Sequence, residues 1–218
     1  MQFERAWQTG GRYIYRTGEI YRRVRGWTGD PAAYCLSLVP TQLQRLVPHP
    51  QICDWLSRFR LILVGGGPTW SALLDQAQHL GLPLAPTYGM TETAGQIATL
   101  SPQRFLQGMQ GCGPVLPHAS IAILDPQGTQ MPQGSTGRIG VRSLSLALGY
   151  YPHRWPADHL WISGDMGYLN AAGELYVVGR EQDLIISGGE KIWAPEVAEV
   201  LLATGLVSDV CVLGFISS

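Results

Sequence analysis

Apolar residues follow two rhythms along this chain, and the change between them falls near residue 115. Before it, short continuous apolar runs alternate with stretches of helical spacing. Leu61-Ile62-Leu63-Val64 has the length and composition of a strand buried on both faces, and it leads straight into Gly65-Gly66-Gly67-Pro68. Residues 71–80 then place Leu73, Ala77 and Leu80 on one helical face, and Gly81 closes the helix. A second strand is predicted around Leu84-Ala85-Pro86-Thr87. Strand, glycine loop, helix and strand make a βαβ unit. Ligands of such sheets sit at the carboxyl ends of the strands, so the loops after Val64 and after Thr87 share one rim. Further strands near 11–16 and 33–39, with helices near 40–47, 50–58 and 69–80, give a parallel-sheet α/β region over residues 1–115.

After Gly111-Cys112-Gly113-Pro114 the pattern turns to short alternating strands with turn signals. Ser120–Leu124 is followed by Asp125-Pro126-Gln127-Gly128, then by Gly137–Arg142; Ala171-Ala172-Gly173 turns the chain into Leu175–Val178. This predicts a small β-rich subdomain over 116–179. Beyond a short link at 180–183, residues 184–218 read as the beginning of an α+β unit. Its helix runs over Pro195–Leu202 with proline in the first turn, and a strand is expected at Val210–Ile216.

The run Tyr88-Gly89-Met90-Thr91-Glu92-Thr93 carries the chemistry on the shared rim. Mg²⁺ takes hard oxygen ligands, commonly one or two carboxylates plus phosphate oxygens. Glu92 suits that role, Thr91 can donate to a phosphate, and Gly89 lets backbone approach closely. Taken alone, the hexamer is equally a strand-to-loop turn with a solvated glutamate. The triple glycine fits neither G-x-G-x-x-G nor a Walker loop.

Composition narrows the classes. A formal charge of -1 gives the chain no bulk attraction to nucleic acid or membrane, and no run approaches the 18 or so apolar residues of a membrane span. Cys35, Cys53, Cys112 and Cys211 form no C-x-x-C, the start lacks a signal-peptide pattern, and reduced thiols in the cytoplasm are expected. Arg22, Arg23 and Arg25 read as a solvated face, the five histidines show no zinc spacing, and Trp155, Trp161 and Tyr176 read as packing residues.

Further segments complete a pattern: Trp161-Ile162-Ser163-Gly164-Asp165-Met166-Gly167-Tyr168, Val178-Gly179-Arg180, and Ile186-Ser187-Gly188-Gly189-Glu190-Lys191-Ile192. With the glycine-proline loop and the Tyr88 run, in this order, the chain resembles the adenylate-forming superfamily of acyl-CoA synthetases over residues 35–218. The segments Ser37–Leu46, Thr91–Ile97 and Ile186–Ile192 are most similar to the o-succinylbenzoate-CoA ligase branch, which serves menaquinone and phylloquinone biosynthesis. Gly95 stands where that branch has serine, and Lys191 where asparagine is common.

The resemblance implies roles. Gly65, Gly66, Gly67 and Pro68 would line the adenine and acyl side of the cleft. Tyr88 would pack on adenine, with Gly89 and Met90 beside it, while Thr91 and Glu92 meet phosphate and Mg²⁺. Asp165 would accept from both ribose hydroxyls, and Arg180 would reach the ribose. Ala94, Gly95 and Gln96 would face the acid. Gly188, Gly189 and Lys191 would face CoA once a mobile C-terminal domain turns about a hinge at Gln182 or Asp183. The reaction implied forms an acyl-adenylate from ATP and then a CoA thioester, with small-molecule partners and a possible homo-oligomer.

Two family features are not found in the 218 residues: an N-terminal phosphate loop ending in lysine, and a late catalytic lysine. Lys191 is the sole lysine. A fragment is therefore expected, and three readings stand: a 2-succinylbenzoate ligase, a ligase for another carboxylic acid, or a truncated nucleotide-binding module without turnover.

Overall fold

The computed structural model describes residues 29–67, 69–207 and 210–215. The expected strand at 11–16, the arginines at 22, 23 and 25, and Pro68 lie outside them. The architecture is mixed α/β, one four-stranded sheet followed by an antiparallel five-stranded sheet and a hairpin.

In the first sheet the order is β1 (Cys35–Leu38), β2 (Leu61–Val64), β3 (Leu84–Met90), β4 (Gly95–Thr99). β1, β2 and the start of β3 run parallel, as the βαβ reading requires. The helices are α1 (Pro40–Leu46), α2 (Pro50–Ser57), α3 (Ser71–His79) and α4 (Pro102–Leu106). Both α1 and α2 open on proline, whose missing N–H belongs to a turn that has no intrahelical partner for it. Leu38, Leu43, Leu56, Ile62, Leu73 and Leu84 meet in one core between these helices and the sheet.

β3 is longer than predicted because it changes partners. Leu84–Pro86 pair with β2, whereas Thr87–Met90 pair antiparallel with β4, with a register shift between Tyr88 and Gly89. Pro86 sits at the changeover, a margin of both ladders where a residue without N–H is tolerated. The first half of the Tyr88 run is therefore strand, and the second half, Thr91–Thr93, leaves it as a 3-10 turn.

The second sheet has the order β5 (Gly113–Pro114), β9 (Glu174–Arg180), β8 (Trp161–Leu169), β7 (Gly137–Ser143), β6 (Ala119–Leu124). Its core joins Ile123, Ile139, Val141 and Leu175 to Tyr88 and Ile97 of the first sheet. β3 thus belongs to both cores, through Leu84 in the first and Tyr88 in the second. Arg104 of α4 adds a salt bridge to Glu174 of β9.

A 3-10 turn at Glu181–Asp183 leads to the hairpin β10 (Leu184–Ser187) and β11 (Glu190–Trp193), then α5 (Ala194–Ala203). Glu199 of α5 accepts from the Ser71 hydroxyl and, at 3.3 Å, from the Ala72 N–H, capping α3. Residues 210–215 form no strand, contrary to the expectation for Val210–Ile216. An apolar run becomes a strand only where a ladder of backbone hydrogen bonds continues along it. No helix among the described residues is long and apolar enough to cross a membrane.

Candidate active site

The site begins with the partner change in β3. Gly89 has no room for a side chain: a Cβ there would collide with the Gly95 carbonyl of β4. The close strand approach that this glycine permits carries the chain into the Thr91–Thr93 turn. Thr93 pins that turn from inside, accepting from Met90 N at 3.0 Å and donating to the Gly95 carbonyl at 2.7 Å. Thr91 is exposed and Glu92 half-buried. Ala94 ends the turn with φ of 50°, a left-handed conformation that is unfavourable for a residue with a Cβ.

Tyr88, three residues before Thr91, reaches the other sheet. Its hydroxyl donates to Oδ2 of Asp165 at 2.7 Å and lies 3.0 Å from Ser163 Oγ. Burial, and then the carboxylate of Asp165, raise the phenol's pKa, while the Ser163 contact opposes the rise. A phenol held neutral is a donor, which is what Asp165 needs from it. At most about 11 Å of extended chain separates Thr91 from the tyrosine whose side chain reaches Asp165.

Asp165 lies within β8, not in a turn, with its cross-strand partner Arg180 on β9. Arg180 Nε stands 3.4 Å from Oδ1 of Asp165, and the arginine side chain is largely exposed. Ser163 Oγ accepts from Asp165 N at 3.1 Å and donates to the Ile139 carbonyl at 3.2 Å, fixing the backbone below the carboxylate. A hollow of about 360 Å³ opens here, lined by Ser163, Gly164, Arg180, Glu181 and Gln182. Gly164 has φ of +74° and open space where a Cβ would stand. An ionised carboxylate has about four lone-pair positions. Tyr88 and Arg180 take two, which leaves acceptors for a pair of vicinal hydroxyls.

The glycine loop is explained largely by its own packing. A Cβ on Gly65 would stand 2.8 Å from Thr87 Cγ2, and Gly66 has φ of +82°. Gly67 is exposed. Gln96 donates to Thr99 Oγ1 at 2.9 Å, so its amide is engaged along β4. Gly188 and Gly189 turn the β10–β11 hairpin with positive φ, and Lys191 is exposed on it. Gln182 and Asp183 fall in the 3-10 turn after β9. The expected packing role of the aromatics holds: Trp155 stacks on Trp161 with centroids 4.7 Å apart, and Tyr176 on Tyr168 at 4.9 Å. Ser163, which accepts from Asp165 N, and Tyr150, whose hydroxyl donates to Glu92, are not among the residues that motif reading singles out, Ser163 despite lying two positions before Asp165.

The class of protein follows from comparison with known ones. This chain belongs to the AMP-binding enzyme family, whose model matches residues 10–151. It is 36% identical over 183 residues to the 2-succinylbenzoate-CoA ligase of Enterococcus faecalis, a match covering 82% of this chain and 38% of that protein. It is also similar to the solved o-succinylbenzoate CoA synthetase of Bacillus subtilis. In complex with the acyl-adenylate intermediate, that structure matches with a TM-score of 0.73 at 34% identity, covering 84% of this chain and 38% of that one. In complex with ATP and magnesium ion it matches with a TM-score of 0.67 at 34% identity, covering 80% and 37%. The chain thus spans well under half the length of these relatives.

Proposed function

We propose that this chain carries the nucleotide-handling part of an ATP-dependent acid-CoA ligase acting on 2-succinylbenzoate. The observation that carries this reading is Asp165, held by Tyr88 from one sheet and Arg180 from its own, next in sequence to Ser163 and Gly164, which line a hollow with Arg180. In the first half-reaction a carboxylate oxygen of the acid attacks the α-phosphorus of ATP, and the bond to pyrophosphate breaks. In the second, the CoA thiol loses its proton and attacks the acyl carbonyl, and AMP departs. Such displacements depend on positioning and on stabilising charge, with no protein nucleophile required.

The chain's residues divide the work. Asp165 and Arg180 orient the ribose. Gly65, Gly66 and Gly67 border the cleft, and Tyr88, Gly89 and Met90 deliver Thr91 and Glu92 to the phosphates. Among the described residues no group of three or more histidines, cysteines and carboxylates could hold a metal. That fits an Mg²⁺ that arrives on ATP and needs only a carboxylate such as Glu92 from the protein; the ion neutralises phosphate charge. Ala94, Gly95 and Gln96 face the acid, and Gly188, Gly189 and Lys191 the CoA. Residues 1–115 and 116–179 act together as the nucleotide platform, and 184–218 turn about Gln182 or Asp183 between the half-reactions. Cytoplasmic location suits these substrates.

Pyrophosphate release from the 218-residue chain with ATP, Mg²⁺ and 2-succinylbenzoate tests the reading. Acid-dependent release supports it. Release with a different carboxylic acid would reassign the substrate, and ATP bound with no release would favour a nucleotide-binding module without turnover.

A further inference from the structure

The segment between β7 and β8, residues 144–160, holds none of the motif residues, yet it fastens onto the Thr91–Thr93 turn at three points. Ser145 Oγ donates to the Thr93 carbonyl at 2.7 Å. Ala147 N donates to the Glu92 carbonyl at 2.6 Å. The Tyr150 hydroxyl donates to Oε1 of Glu92. The first two bonds fix backbone, as any loop packed on a turn would. The third is different, because it fixes the direction of the one carboxylate in the turn.

Burial does not explain that third contact, since Tyr150 is 56% exposed. Its ring is braced by edge contacts to Trp155 and Trp161, with centroids 5.5 and 5.7 Å away. Those two indoles stack on each other, and His159 stacks on Trp155 at 4.7 Å. An aromatic bracket therefore carries a phenol to a glutamate 58 residues earlier. A glutamate side chain has three torsions, and a donor on one oxygen orders them while leaving the other oxygen available to a cation.

We propose that Tyr150 is a positioning residue, which holds the Glu92 carboxylate in the orientation that meets the Mg²⁺ of bound ATP, with Trp155 and Trp161 as its brace. The proposal rests on the reading of Glu92 as the carboxylate facing the magnesium nucleotide. Partners that orient a metal-binding group commonly change metal affinity about tenfold or more when removed.

The test measures ATP binding to the 218-residue chain by calorimetry across a Mg²⁺ series, for Tyr150→Phe, Glu92→Gln and the double variant. Phenylalanine keeps the ring brace and removes only the hydroxyl. Tyr150→Phe is expected to raise the half-saturating Mg²⁺ about tenfold without moving the thermal transition. The double variant should be no worse than Glu92→Gln. A shift for Glu92→Gln with none for Tyr150→Phe overturns the role of Tyr150 and leaves the nucleotide reading intact. Independent, additive shifts in the double variant overturn it as well. If Glu92→Gln itself leaves the Mg²⁺ curve unchanged, or the unmodified chain binds no ATP, the reading of the site fails and takes this proposal with it.

Discussion

Two oxygens of Asp165 serve two protein partners and still have acceptor capacity to spare, and this sets what its removal should do. Tyr88 and Arg180 each engage one oxygen, so the carboxylate is aimed before any ligand arrives. Hydrogen bonds to charged groups contribute roughly 1.5 to 3 kcal/mol each. If Asp165 accepts from two ribose hydroxyls, Asp165→Ala should weaken ATP binding by about 3 kcal/mol, on the order of a hundredfold. Calorimetry on the folded variant measures it, and an unchanged dissociation constant would exclude the ribose role. Tyr88 and Asp165 are both legible in the sequence as members of separate motifs. The bond between them is not, because 77 residues separate them and only the packing of two sheets brings them together. The backbone conformation of Ala94 escapes sequence reading for another reason: nothing in Thr-Ala-Gly announces that the alanine, as well as the glycine after it, takes positive φ.

At the scale of elements, β3 is where the fold and the site depend on the same feature. The sequence announces it as a short parallel strand, and the strand's second half, committed to β4, stays hidden. Gly95–Thr99 carries the glycine and glutamine of a motif rather than an alternating pattern, so local periodicity gives β4 no signal. The helix α4 is hidden by its shortness, at five residues. The reason for Gly89 becomes visible only once β4 is in place, since the Gly95 backbone fills the space a methyl would need. Backbone cannot step aside as a flexible side chain can. Gly89→Ala should therefore cost about 3 kcal/mol or more, at the upper end for overpacking, and displace the Thr91–Thr93 turn as well. Urea unfolding gives the first effect and Mg²⁺-dependent ATP binding the second. Gly81→Ala is a useful contrast, because a Cβ there meets nothing within 4 Å and only the left-handed φ of +66° opposes it; its cost should be about 1 kcal/mol, confined to the end of α3.

For the whole molecule, the question is what keeps two sheets with separate cores in one arrangement. Tyr88, Ile97 and Ala98 pack the first sheet into the core of the second. Beside them, Arg104 on α4 pairs with Glu174 on β9, an ion pair whose acidic member is only 3% exposed. The pKa of Glu174 is lowered, chiefly by the hydrogen bond from Asn170 at 3.0 Å and then by Arg104, against an opposing effect of burial. A depressed native pKa means that the unfolded chain binds more protons between the unfolded and native values. The pair's contribution is therefore full above the ordinary carboxylate range and is lost as pH falls through the lowered native value. Arg104 is itself about a third exposed and Asn170 remains as a donor to the buried carboxylate, so Arg104→Ala should destabilise the chain by about 1–2 kcal/mol at pH 7, between the values for exposed and for buried pairs. The same substitution lets the Glu174 pKa rise back toward its ordinary value, and once the acid is protonated there is little charge left for Arg104 to neutralise. The difference in urea midpoint between the unmodified chain and Arg104→Ala should consequently shrink as the pH is lowered from 7 through the carboxylate range. A gap that stays constant across that range would mean that Arg104 contributes through its packing on β9 and not through its charge.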